Sequence, residues 1–282
     1  MAGMKFTKMH GLGNDYVYVN AFAERVGDAP SLARRVSDRH RGIGGDGLIL
    51  IGPSSVGDVR MEMYNADGSR AEMCGNGLRC VAKYAFERRL VDGPEVSVET
   101  DAGLRRARCN LQDGTVRSVR VDMDVPAIAP ESLPSTLQGE RIVDHPLAID
   151  GSTYNVTCVS LGNPHAVIFV DDLESIDLPR VGPRVENAAV FPRRINAHFA
   201  RVDSPRHVTM RTWERGSGET NACGTGACAV GVAGVLCGRT MRSVIVTLPG
   251  GDLEIEWGAD DHVFMTGPAE EVFTGEYLGG NR

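Results

Sequence analysis

Two cysteines, Cys74 and Cys223, each stand just before a Gly-x-Gly, in Met73-Cys74-Gly75-Asn76-Gly77 and Ala222-Cys223-Gly224-Thr225-Gly226. Their positions differ by 223 less 74, or 149 residues, and the same offset lays Leu12-Gly13-Asn14 on Leu161-Gly162-Asn163. Two unrelated motifs in one gapless register predict an internal duplication with one thiol in each half. A cysteine ahead of a helix places its sulfur among unpaired N–H groups at the positive end of the macrodipole, which favours thiolate over thiol. The flanking glycines carry no Cβ, so backbone amides there can approach an anion such as a carboxylate closely. Two opposed thiols can invert a stereocentre: one, as thiolate, takes a proton from one face while the other, as thiol, delivers one to the other face. The amides would hold the substrate's α-carboxylate and stabilise the charge that develops as the Cα–H bond breaks. Such chemistry requires no pyridoxal cofactor.

Other readings of these residues fit less well. Cys74 and Cys80 are spaced C-x5-C, and Cys223 and Cys228 C-x4-C, neither of which is the C-x2-C of structural zinc, so no metal is expected. Cys80, Cys109, Cys158, Cys228 and Cys237 read as small buried hydrophobes. Gly42-Ile43-Gly44-Gly45-Asp46-Gly47 fits the dinucleotide pattern G-x-G-x-x-G, but that motif needs a strand before it and a helix after. Here an apolar run, Leu48-Ile49-Leu50-Ile51, follows, which predicts a turn entering a strand.

The elements that would position the thiols are mostly strands. Alternating or β-branched runs over 96–99, 119–123, 156–161, 207–213, 243–248 and 253–257 predict half-buried strands. Helices are predicted over 30–39, 78–89 and 227–236, the last apolar all round, hence surrounded by protein, and closed by Gly238. The class is α/β or α+β with a dominant sheet. A Pro-rich passage from Pro126 to Pro134 suits a connection, so the expected lobes are 1–125 with Cys74 and 126–268 with Cys223, the segment 269–282 returning to the first.

Composition agrees with two packed cores: 42% of residues are apolar and 24% charged. The formal net charge of −7 argues against nucleic acid or an anionic membrane as partner and for a small molecule. No apolar signal region follows Met1, so a cytoplasmic location is expected, with free thiols in place of disulfides.

Gly11-Leu12-Gly13-Asn14-Asp15, Asn65-Ala66-Asp67-Gly68-Ser69, the first cysteine motif, Gly162-Asn163-Pro164-His165, Glu214-Arg215-Gly216 and Glu219-Thr220-Asn221 with the second cysteine motif together resemble the diaminopimelate epimerase family, in its order and from residue 5 to about 270. The resemblance implies cofactor-independent interconversion of LL- and meso-2,6-diaminopimelate in lysine and peptidoglycan-precursor synthesis. It also implies two pseudo-symmetric lobes, each a barrel-like, mostly antiparallel sheet around a central helix, a site in the cleft and a homodimer. Carried over by position, Cys74 and Cys223 take the acid/base roles, with Glu214 and His165 supporting catalysis. Gly75, Asn76, Gly224 and Thr225 would cradle the α-carboxylate. Asn14, Asn65, Asn163, Asn196, Glu214 and Arg215 would bind the rest of the substrate, the Arg fork suiting its distal carboxylate.

The 149-residue offset maps Asn65 onto Glu214 and Gly47 onto Asn196, so symmetry is kept at the thiols and broken at the distal pocket. An epimerase needs that asymmetry to invert one centre while recognising another. Many members of the family carry Gln where this chain has Gly47, which removes a side-chain hydrogen bond to substrate. A proline or hydroxyproline racemase-like enzyme is the alternative within the same chemistry, although a cyclic imino acid offers nothing for Arg215 and the Asn cluster to bind. A catalytically idle binding protein of the same fold is the alternative outside enzymes, and it would not need both thiols.

Overall fold

The computed structural model describes residues 3–279, which form two compact units. One comprises the residues up to Val121 together with those from Gly267 onward, and carries Cys74; the other is Asp122–Thr266 and carries Cys223.

In the first unit, Met4–Gly11 pairs antiparallel with Asn14–Asn20 on one edge and with Glu270–Tyr277 on the other. Two junctions in the unit are parallel, Tyr16 facing Gly47 and Val59 facing Val98, while the remaining pairs are antiparallel. Parallel neighbours cannot be joined by a hairpin and need a crossover. The helices supply it: α1 (Ala29–Ser37) precedes the strand Gly47–Gly52, and α2 (Gly75–Glu87) precedes Glu95–Thr100.

The second unit repeats the plan. His165 faces Asn196 and Val208 faces Val246 at its parallel junctions, which α3 (Leu178–Glu186) and α4 (Gly224–Leu236) cross. Positions 29 to 37 become 178 to 186 and positions 75 to 87 become 224 to 236 on adding 149, so both helices of the first unit recur with the same bounds. The duplication read from six residues thus extends through the backbone.

Each unit is built around its second helix. From Gly224 to Gly234, α4 is buried except at Thr225, and the strands Ser152–Ser160, Pro164–Phe169, Asn196–Ser204, Ser243–Leu248 and Gly251–Trp257 pack around it. The sequence makes that possible with small residues: a Cβ at Gly231 would lie 2.8 Å from Ile255 Cγ2. Cys237 caps the helix and Gly238, at a φ of 66°, turns the chain out through the left-handed region. In α2, Leu78, Cys80, Val81, Ala82 and Ala85 are fully buried, and truncating Leu78 to Ala would cost about 2–5 kcal/mol.

Two sequence expectations change here. The Pro-rich passage is no free connection: Ala127 bridges to Ser160, and Leu133, 3% exposed, belongs to the second unit's core with Ile142, Val181 and Phe199. The helix α3 lies outside the predicted set, because Gly182 and Pro183 interrupt its pattern. No helix among the described residues is long and apolar enough to cross a membrane.

Candidate active site

Cys74 is the N-cap of α2, with extended backbone (φ −137°, ψ 120°), and its Sγ accepts from Gly77 N at 3.5 Å. Extended φ/ψ one residue before a helix is the ordinary N-cap geometry, and the cysteine occupies the place usually held by Ser or Asp. Its thiol also lies 3.3 Å from Asn14 Oδ1 as a donor, and Asn76 Nδ2 reaches the same oxygen at 3.3 Å. Asn14 is itself oriented from behind. Its Nδ2 donates to Asp46 Oδ2 at 2.8 Å, an atom that also takes Asp15 N at 3.1 Å. Asp46 and Asp15 share Arg39, at 3.1 and 2.8 Å, and Asp15 pairs with Lys8 at 2.6 Å. Burial raises the Asp15 carboxyl, but the hydrogen bonds and charges of Arg39 and Lys8 prevail and hold it below the usual range. The Gly42–Gly47 motif is therefore a turn into the strand Gly47–Gly52, as expected, and its working residue is Asp46.

Asn65 faces Gly47 across the antiparallel ladder and gives its Nδ2 to Ser69 Oγ at 3.0 Å. At Gly47 a Cβ would meet the carbonyl oxygen of Tyr64 and the Tyr16 ring, so the place of the missing Gln is filled by neighbours.

In the second unit Cys223 caps α4 in the same conformation (φ −125°, ψ 101°) and is 4% exposed. At this sulfur burial works against the helix end. Burial pushes its thiol well up, and the Glu214 charge adds to that, while the Thr225 hydroxyl, 3.7 Å from Sγ, lowers it only in part. Burial and the Glu214 charge both favour the thiol over the thiolate at Cys223. Glu214 is held by Thr220, whose Oγ1 donates to Oε1 at 2.6 Å.

Asn163 donates its Nδ2 to Thr225 Oγ1 at 3.3 Å, and its Oδ1 lies 2.9 Å from His165 Nε2. Asn196 bridges the distal residues: its Nδ2 donates to Pro164 O at 2.8 Å and its Oδ1 accepts from Arg215 N at 2.9 Å. Arg215 is exposed and its Nη1 reaches Arg193 O at 3.2 Å. The first unit thus gathers Asn14, Cys74, Gly75 and Asn76, with Asn65 at the adjoining strand end. The second gathers Asn163, His165, Glu214, Cys223, Gly224 and Thr225, with Asn196 and Arg215 beside them.

Three supporting residues escaped sequence reading. Asp46 is one. Glu186, 5% exposed at the end of α3, accepts from Gly216 N at 3.0 Å, Trp213 Nε1 at 2.8 Å and Arg194 Nη1 at 3.1 Å, so it pins the turn that carries Glu214 and Arg215. Adding 149 to α1 would have found its helix. His198 is the third, two residues after Asn196 on the same strand face, where period two would have found it. Cys80, Cys109 and Cys158 are buried, and burial pushes Cys80 and Cys109 up to about 11 and Cys158 to about 12.

The profile of the family described as "Diaminopimelate epimerase" matches residues 6–128 and 157–272. The diaminopimelate epimerase of Moorella thermoacetica is 53% identical over 276 residues, covering 97% of this chain and 99% of that protein. Those of Acetivibrio thermocellus and Methanococcus maripaludis are 52% and 47% identical over 97% of this chain and 98% and 99% of their own. Among solved structures, the phenazine biosynthesis protein of the PhzF family from Bacillus anthracis superposes with a TM-score of 0.71 at 17% identity over 99% of this chain and all of its own. A probable proline racemase from Agrobacterium radiobacter K84 gives 0.71 at 15% over 98% of this chain and 93% of its own. At such identities the likeness speaks for the fold alone.

Proposed function

The chain belongs to the diaminopimelate epimerase family, and on that premise we propose that it interconverts LL- and meso-2,6-diaminopimelate with Cys74 and Cys223 as the two acid/base groups. The observation that carries the proposal is the repeated placement of one cysteine as the N-cap of a buried, glycine-opened helix in each unit. In a turnover one sulfur, as thiolate, takes the Cα proton and becomes a thiol. The other, as thiol, gives its proton to the opposite face and becomes a thiolate, so the protein's proton count is unchanged and only its distribution reverses. N–H groups at Gly75, Asn76, Gly224 and Thr225, in the first turns of the two helices, would hold the α-carboxylate and the charge delocalised onto it.

Glu214 and His165 act beside the sulfurs, Glu214 by accepting a hydrogen bond from the Cys223 thiol, which keeps the proton on sulfur until the substrate takes it. Asn14, Asn65, Asn163, Asn196 and Arg215 bind the rest of the substrate, the guanidinium facing the distal carboxylate. No cofactor enters these steps. The family resemblance also supports a cytoplasmic homodimer, which light scattering on the purified protein would test.

The experiment is incubation with LL-diaminopimelate in D2O, followed by chiral separation and mass spectrometry. Meso product carrying deuterium at Cα, lost in both Cys74→Ala and Cys223→Ala, is the expected result. Folded, reduced protein that neither exchanges nor isomerises diaminopimelate but turns over proline would overturn the substrate assignment.

A further inference from the structure

Behind Asn163 runs a buried hydrogen-bond chain that the steps above do not use. His165 Nδ1 lies 2.8 Å from His198 Nε2, and His198 Nδ1 lies 3.1 Å from Thr212 Oγ1. Both imidazoles are fully buried, with ring centroids 5.0 Å apart. Burial makes both neutral: it takes His198 down to about 3 and, with the neighbouring His198 and Arg215, takes His165 well below its usual value. Two neutral imidazoles joined nitrogen to nitrogen need one N–H and one lone pair between them.

Asn163 decides which is which. Its Nδ2 is committed to Thr225 Oγ1, so its Oδ1, which only accepts, faces His165 Nε2. His165 therefore carries its proton on Nε2 and presents a lone pair on Nδ1. His198 must then donate from Nε2, and its own Nδ1 accepts the Thr212 hydroxyl. Every proton points the same way, from Thr212 toward Thr225, whose hydroxyl hydrogen is left for Cys223 Sγ at 3.7 Å.

The first unit carries a different side chain at the place of His198. The position equivalent to His198, 149 residues earlier, is Ile49, whose Cδ1 would lie 2.7 Å from a Cβ on Gly77. In the second unit the equivalent glycine is Gly226, and there a Cβ would meet the His198 ring itself. The imidazole thus fills the space under the first turn of α4 that hydrocarbon fills under α2.

From this geometry we propose that His198 is a positioning residue for the epimerisation: its Nε2–H locks His165 in the Nε2–H tautomer and, through Asn163, turns the Thr225 hydroxyl toward the Cys223 sulfur as a donor. The proton that Cys223 gives up leaves an anionic sulfur in a buried place beside Glu214, and the donor so aimed is what that anion needs. The kinetic consequence rests on the epimerase reading. The tautomers do not.

The test has two arms. Long-range proton–nitrogen NMR on histidine-labelled protein near neutral pH should show both rings protonated on Nε2, with His198 identified by its absence from the His198→Gln spectrum. A proton on Nδ1 of either ring would overturn the proposal. In the kinetic arm, His198→Leu, which removes the donor, should lower kcat by about tenfold with KM nearly constant and should shift the alkaline limb of kcat upward. His198→Gln, whose amide nitrogen can donate in the same place, should recover most of that loss. A folded His198→Leu enzyme with the parent kcat and pH profile would sink the idea. If the Leu variant does not fold, the Nε2 proton of His165 and kcat should be kept together or lost together in His198→Gln, and loss of either one alone refutes the lock. If the parent protein turns over no diaminopimelate, the function fails, while the spectrum still decides the tautomers.

Discussion

Asn14 and Asn163, one residue in two copies, present opposite ends of their amides to the neighbouring helix starts. Asn14 offers its oxygen to Cys74 and Asn76, because its nitrogen is taken by Asp46. Asn163 offers its nitrogen to Thr225, because its oxygen is taken by His165. A carboxylate can only accept and a neutral imidazole Nε2–H can only donate, so the group behind each amide dictates what the site receives.

Replacing Asn14 by Asp would leave two carboxylates facing each other where an amide now donates to Asp46 at 2.8 Å. Like charges so close raise the folded-state pKa of the pair, so the folded protein binds more protons and stability falls as pH rises above the ordinary carboxyl value. Denaturant midpoints of Asn14→Asp should therefore drop relative to the parent between about pH 4 and about pH 7, with activity down at least about tenfold. Parallel curves would show that Asn14 is not held by Asp46.

Glu186→Gln exchanges one accepting oxygen for an NH2 group against Trp213 Nε1, Gly216 N or Arg194, all donors. A buried donor set against a donor costs about 1–3 kcal/mol. Because Glu186 anchors the turn that carries Arg215, KM for diaminopimelate should rise by about tenfold or more while kcat changes less. An unchanged KM would detach the turn from substrate binding.

The two buried imidazoles also set an acid limit. Both are neutral in the folded protein, His198 down to about 3 and His165 well below its usual value, whereas in the unfolded chain each protonates near 6.5. The unfolded state binds the extra protons, so stability is present above about pH 6.5 and falls as pH drops, by about 1.4 kcal/mol per pH unit for each imidazole. Urea titrations from about pH 7 to about pH 5 should show this slope, and His198→Gln should lose one imidazole's share of it.

Gly226→Ala and Gly77→Ala are equivalent changes with unequal outcomes. The added methyl at 226 meets the His198 ring, fixed by hydrogen bonds at both nitrogens, and overpacking there should cost about 2 kcal/mol. At 77 it meets the terminal carbons Ile49 Cδ1 and Met61 Cε, which can move aside, and the gain in helix propensity offsets part of the strain. Thermal unfolding of the pair should place Gly226→Ala clearly below Gly77→Ala, and equal melting temperatures would contradict this.

The local layers of this fold are legible in the chain. The starts of α2 and α4 follow from Cys-Gly-x-Gly, and the strand Ser243–Leu248 matches its β-branched run residue for residue. What the chain hides is whatever depends on burial. Nothing in the sequence around Cys223 says that it is enclosed with Glu214 beside it, and that enclosure pushes its thiol up against the pull of the helix end. Asp46, Glu186 and His198 look like surface polar residues until packing makes them partners. The helix α3 was hidden by Gly182, yet that glycine is there because a Cβ would lie 2.5 Å from Trp213 Cγ, whose indole then reaches Glu186.

The strand Glu270–Tyr277, paired along Met4–Gly11, bears on how the chain is made. On the ribosome the residues Asp122–Thr266 emerge as one continuous stretch and can complete their sheet as soon as they are clear. The strand Met4–Gly11 waits with one edge unpaired until Glu270–Tyr277 has been synthesised, so the unit that carries Cys74 completes its sheet after the unit that carries Cys223.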